Sequence, residues 1–210
     1  MEKHAERPRR LEGGERMAVI DTSFPEVKVL IPPKHVDERG FFSETYSRRT
    51  LAKFGIAPDF VQDNHAFSAR RGTIRGLHFQ IPPFAQHKIV RVIRGSIFDV
   101  VVDVRRDSPT FGRFEAFRFS ATDWKQLFIP IGFAHGLCTL EPNTEIMYKV
   151  SNVYSPAHDR GVRWNDEAIG IKWPASADEA VISAKDRALP PLASLPSYFD
   201  AESELSSLSA

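Results

Sequence analysis

Arg75-Gly-Leu-His-Phe-Gln80 is the stretch on which the reading of this chain turns. Its apolar surroundings mark an extended run, and side chains two apart on a strand point the same way, so His78 and Gln80 share one face. In a small β-barrel that face lines the ligand cavity. A His-x-His pair there, with a further Glu and His, would make a first-row metal site. The chain has His-x-Gln instead, with charged residues nearby that suit proton transfer.

Outward from that stretch, short strand-like runs recur between turn signals. They are 27–31, 73–79, 88–94, 96–104, 114–119, 125–129, 136–140 and 144–150. Pro82-Pro83, Arg94-Gly95, Ser108-Pro109, Ser120-Ala121 and Pro142-Asn143 mark breaks between them. Many short strands at roughly 8–12-residue spacing suggest an antiparallel sandwich or barrel. Residues 96–104 are too rich in β-branched side chains and too poor in polar ones for an exposed helix. A helix is expected over 48–54, stopped by Gly55, and a shorter helical segment near 166–170. The fold class is all-β, an eight-stranded double-sheet jelly roll with short flanking helices.

A chain of 210 residues, 42% hydrophobic and 26% charged, fits one globular domain with tails. Residues 1–16 are mostly charged and read as a disordered extension, 17–195 as the domain, and 196–210 as a flexible serine-rich tail. Met17 is an alternative initiator. With 28 Lys+Arg against 27 Asp+Glu, nothing draws the chain to nucleic acid or a membrane surface, so any anion site is a local cluster. Cys138 is single and flanked by Leu137, which favours a buried thiol and a reducing compartment. No apolar run approaches the ~20 residues of a membrane span, and the charged start lacks a signal-peptide core. The expected location is the cytoplasm.

Gly76-Leu-His78-Phe-Gln80 and Pro130-Ile-Gly132-Phe-Ala-His135 resemble the two halves of a cupin barrel. After Gln80, residues 81–88 supply Gln86, His87 and Lys88 but no glutamate, and a lysine opposes a divalent cation, so no metal is expected. Further motifs appear in order: Asp37-Glu-Arg39-Gly-Phe-Phe-Ser-Glu44, Phe60-Val-Gln62-Asp63-Asn64, Lys88-Ile-Val-Arg-Val, Tyr148-Lys, Tyr154-Ser-Pro, Arg160-Gly-Val-Arg-Trp164 and Ser183-Ala-Lys185-Asp186. From about Val19 to Leu192 the chain closely resembles the dTDP-4-dehydrorhamnose 3,5-epimerases, metal-free homodimers of the cupin fold that use no cofactor.

The resemblance implies inversion of C3 and C5 of dTDP-4-dehydro-6-deoxy-D-glucose, giving dTDP-4-dehydro-L-rhamnose. The C4 ketone acidifies both neighbouring hydrogens. Inversion then needs a base on one face, an enolate, and an acid on the other. By resemblance His78 is the base, Tyr148 the acid and Asp186 the carboxylate that orients the histidine. Lys88 is the cationic candidate for the enolate. Arg39, Arg75 and Lys185 match positive positions around the nucleotide sugar. Glu44, Gln62, Asp63 and Asn64 offer polar groups to base or sugar. His135 matches a ligand-contacting histidine, and Tyr154 an aromatic that stacks on thymine. Asp159 stands where the family often has glutamate, and His87 where a smaller residue is commoner.

Rival readings are a 3- or 5-monoepimerase of a specialised dTDP-sugar pathway, a metal-dependent cupin oxygenase, and a cupin that binds a sugar nucleotide without catalysis. Ordinary roles are expected elsewhere. His4, His35, His65 and His158 read as satisfied polar residues, and Arg105, Arg106 and Arg113 as surface charge. Trp164, Trp173, Phe41, Phe42 and Phe60 read as core or dimer contacts.

Overall fold

Strands whose side chains alternate between apolar and polar must bury one face, and two facing sheets are how this chain does it. The structure, a computed structural model, describes residues 9–10 and 17–199. In chain order the strands begin with β1 (Arg9–Arg10), β2 (Ala18–Asp21), β3 (Lys28–Ile31), β4 (His35–Asp37) and β5 (Gly40–Phe42). Helix α1 (Arg48–Ala52) leads to β6 (Gln62–Ser68), β7 (Ile74–Gln80), β8 (Lys88–Arg94) and β9 (Ser96–Asp103). Then come β10 (Phe114–Ser120), β11 (Gln126–Ile129), β12 (Phe133–Thr139), β13 (Thr144–Val150), β14 (Asp159–Gly161) and α2 (Ala184–Arg187).

Seven strands form one antiparallel sheet in the order β1-β2-β3-β11-β8-β13-β6, and five form the other as β10-β9-β12-β7-β14. Val90, Val92, Leu127 and Ile129 of the larger sheet meet Ile97, Val101, Phe133 and Leu137 of the smaller. Full burial of each such side chain stabilises by about 1.5–3 kcal/mol, and this shared interior is the jelly-roll core. One end of the interior stays open as a cavity. The outer faces are covered as well: Leu51 and Ile56 of the α1 region pack on Leu30, Ile89 and Phe128. The chain after α2 brings Leu192, Leu195 and Phe199 onto Phe79 and Val102.

Several expectations change. Arg9–Arg10 pairs with β2 inside the stretch read as disordered; the rest of 1–16 lies outside the described residues. The packed chain runs past 195, because Phe199 is buried with its ring centroid 5.7 Å from that of Phe79. Residues 200–210 lie outside the described residues. No helix forms at 166–170. The Asp166 side chain takes the N–H groups of Ala168 and Leu192, so the segment folds as a turn that ties the C-terminal chain down. Arg105 is buried rather than on the surface, paired with Asp103 at 2.8 Å and Glu26 at 2.7 Å. Arg106 stays exposed, as expected, its guanidinium donating to Leu195 O at 2.5 Å. No helix among the described residues is long and apolar enough to cross a membrane.

Candidate active site

Where β7 crosses β12, Gly76 and Gly136 face each other and leave no room for a side chain. A Cβ on Gly76 would stand 2.6 Å from Gly136 Cα and 2.7 Å from His135 O, and Gly76 holds φ +118°. Only glycine tolerates both demands. The pairing sets His135 opposite His78, so the two imidazoles share one wall of the cavity.

His78 Nε2 lies 2.8 Å from Asp186 Oδ1. Asp186 sits in the first turn of α2, where its N–H donates to the Ser183 hydroxyl and its Oδ2 accepts the Gly76 N–H at 3.1 Å. Burial pushes the Asp186 carboxyl up, but the His78 hydrogen bond and charge, Gly76 and Ser183 outweigh it and hold it below the ordinary carboxylate value. An ionised Asp186 takes Nε2–H and leaves Nδ1 of His78 as the basic nitrogen.

The cavity encloses about 750 Å³, and His78, Lys88, Tyr148 and Asp186 all line it. Burial lowers Lys88 to about 8, against the opposing charges of Asp159 and Asp99. Its Nζ donates to His78 O at 3.4 Å, which ties it to the same wall. Burial raises the Tyr148 phenol, which Arg75 partly offsets, so the group stays protonated and suits donation.

Arg75, Gln62, Asn64, His135, Tyr154, Asp159 and Lys185 also line the cavity. The Arg75 guanidinium is anchored to Ser68 Oγ and Phe67 O, and Gln62 Nε2 donates to Asn64 Oδ1 at 2.8 Å. The shorter Asp159 accepts at Oδ2 from the Tyr154 hydroxyl at 3.1 Å and from Lys185 Nζ.

Three expected site residues do not join them. Asp63 follows the β6 alternation onto the opposite face and pairs with Lys149 at 2.8 Å. Arg39 sits at the tip of the β4–β5 hairpin, its side chain 84% exposed and paired with Asp37. Glu44 accepts the Thr50 hydroxyl at 3.4 Å, away from the cavity.

Gln80 turns out to be a clamp. Its Nε2 donates to Phe84 O and Val153 O, and its Oε1 accepts Ser155 N–H, so it fastens two loops at the cavity rim. A residue absent from the sequence reading is Asp99, whose Oδ1 lies 2.5 Å from His135 Nε2. It stands in a strongly apolar strand, and only its being charged within that strand could have marked it. Among the described residues no three His, Cys, Asp or Glu side chains are grouped as metal ligands.

Proton transfer inside a jelly roll is the class of chemistry this fold and this site define. The dTDP-4-dehydrorhamnose 3,5-epimerase family matches residues 21–194, and the chain belongs to it. A relative of that description from Sinorhizobium fredii is 49% identical over 177 residues, 84% of this chain and 90% of the relative. A solved dTDP-4-dehydrorhamnose 3,5-epimerase from Bacillus anthracis, with TDP and PPi bound, is 50% identical with a TM-score of 0.81, covering 83% of this chain and 99% of that one. A 3,5-epimerase from Legionella pneumophila, solved with dTDP-4-keto-L-rhamnose, is 37% identical with a TM-score of 0.81, covering 86% and 95%.

Proposed function

We propose that this chain inverts C3 and C5 of dTDP-4-dehydro-6-deoxy-D-glucose, giving dTDP-4-dehydro-L-rhamnose without a cofactor. The observation that carries the reading is the His78–Asp186 pair at 2.8 Å, in one cavity with Lys88 and a protonated Tyr148. Nδ1 of His78 takes the C–H proton beside the ketone; the C–H pair becomes a C=C bond to C4 and the carbonyl π pair moves onto O4 to make an enolate. The Lys88 ammonium donates to that oxygen. As the enolate collapses, Tyr148 delivers its hydroxyl proton to the opposite face of the carbon. Solvent then reprotonates the phenolate and relieves His78 of its proton. Acid–base action of this kind supplies about 10²–10⁴-fold, so most of the acceleration falls to enolate stabilisation and positioning.

Arg75 and Lys185 bind the diphosphate, Tyr154 stacks on the thymine, and Gln62, Asn64 and His135 hydrogen-bond the ligand. Asp159 sets Tyr154 and Lys185. The working unit is a homodimer, supported by Val36 and Phe42 of the β4–β5 hairpin, which are 74% and 72% exposed. On that hairpin Arg39 lies far outside its own cavity, and in a dimer it serves the partner's. The compartment is the cytoplasm, in keeping with the buried free thiol of Cys138.

Incubation with the 4-keto sugar nucleotide in D₂O tests the reaction. NMR is expected to show deuterium entering at C3 and C5 and the L-rhamno product accumulating; no uptake by folded protein would reject the assignment. His78→Ala should abolish exchange at both carbons. Tyr148→Phe should retain some exchange while losing correct inversion.

A further inference from the structure

β9 turns two carboxylates, Asp99 and Asp103, onto one face, and solvent reaches neither. Asp103 is fully satisfied by the Arg105 guanidinium and the hydroxyls of Ser108 and Thr110. Asp99 is not. It has one hydrogen bond, to His135 Nε2, and its buried Oδ2 has no partner among the described residues. Structural need explains Asp103, because it anchors Arg105 and the following turn. It leaves Asp99 unexplained, since a burdened carboxylate of that kind weakens a core unless something uses it.

What surrounds Asp99 suggests the use. His135 is mostly buried yet lines the cavity, and with Nε2 held by Asp99 the ring nitrogen left for a ligand is Nδ1. The same carboxylate acts through space on Lys88. We propose that Asp99 is a positioning residue for the hexose half of the cavity: it fixes the His135 ring with Nδ1 toward the sugar and sustains the ammonium of Lys88. The inference rests on the epimerase reading given above. It assigns the two imidazoles separate tasks, with His78 moving protons and His135 holding the ring that loses them.

The charged and titratable groups that line the cavity with Lys88 are Arg75 and His78 on β7, His135 on β12, Tyr148 on β13, Tyr154 between β13 and β14, Asp159 on β14, and Lys185 and Asp186 on α2. Asp159 is engaged by Lys185 and Asp186 by His78. Two carboxylates oppose the loss of the Lys88 proton on burial, Asp159 first and Asp99 after it, and of the two Asp99 is the buried one that also holds His135.

Asp99→Asn keeps the shape and removes the charge. In the wild type, the imidazole ¹⁵N spectrum of His135 should show one fixed tautomer, protonated on Nε2. In Asp99→Asn that signature should be lost, kcat should fall about 10–100-fold with the alkaline limb of its pH profile moved down by about half a unit or more, and dTDP affinity should stay within about twofold. A purely structural Asp99 would instead weaken dTDP binding or lower kcat equally at every pH. An unmoved profile, or a His135 spectrum unchanged by the substitution, overturns the proposal. If the variant does not fold, the wild-type spectrum decides: a His135 protonated on Nδ1 alone, or averaging between tautomers, overturns it too. Wild-type protein that exchanges no deuterium would sink the epimerase reading, while the spectrum would still report on Asp99.

Discussion

Lys88 keeps its charge on a narrow margin. Burial brings it down to about 8, so its ammonium still predominates near pH 7 and disappears as pH rises through that value. If the ammonium holds the enolate, kcat falls above pH about 8 and is flat below it until His78 or the substrate intervenes. Lys88→Gln is expected to lower kcat by about 10²–10³, the usual loss for one oxyanion donor, and to remove that limb. In Lys88→Arg, whose guanidinium does not titrate, the remaining alkaline loss should move up to the phenol range, above pH about 10. A kcat profile from pH 6 to 11 checks all three. At this scale the gathering of His78, Lys88, Tyr148 and Asp186 in one cavity was legible because short motifs carry them. Asp63 falls outside the cavity because its neighbours Gln62 and Asn64 face it and it alternates away from them.

Among the elements, β7 and β12 leave no room for a side chain where Gly76 meets Gly136. Gly76→Ala would drive a methyl group into Gly136 and the His135 carbonyl while forcing an L-residue to φ +118°. Strain and overpacking together should cost about 3 kcal/mol or more, read as a lower urea midpoint. The start of β8 carries a second test. His87 is buried against Phe128, and burial lowers it to about 4. The folded value lies below the unfolded one of about 6.5, so the unfolded chain takes up the proton first. Stability is therefore whole above pH 6.5 and is lost as pH falls toward 4, by roughly 3 kcal/mol from this group. His87→Gln should flatten that slope in urea titrations between pH 7 and 4. Most strands were legible because their inner faces are apolar. β6 was not, because Gln62 and Asn64 replace core residues where the strand meets the cavity. α2 has a single turn, too short to show a helical period, and the 166–170 stretch mimics one because Asp166 caps a turn.

For the whole molecule, strand spacing made the jelly roll legible, whereas the hairpin β4–β5 carried no signal of where it goes. It extends with Val36 and Phe42 bare, although Phe41 leans on Trp124 of its own chain. In the proposed dimer those bare side chains are buried against the second copy. Light scattering should give about twice 23.7 kDa, and Val36→Asp with Phe42→Asp should yield a folded monomer of reduced activity. Complementation is the sharper test, because it asks which cavity Arg39 serves. Arg39→Ala and His78→Ala chains are each expected to be nearly inactive alone. Mixed in equal amounts and allowed to exchange subunits, half of the dimers are hybrids. In a hybrid, the chain with an intact His78 receives Arg39 from its partner, so one of its two cavities is complete. Activity should then recover to about one quarter of the wild type, as two-fold symmetry dictates. If Arg39 serves its own cavity, each hybrid site keeps one defect and the mixture stays as inactive as its parents.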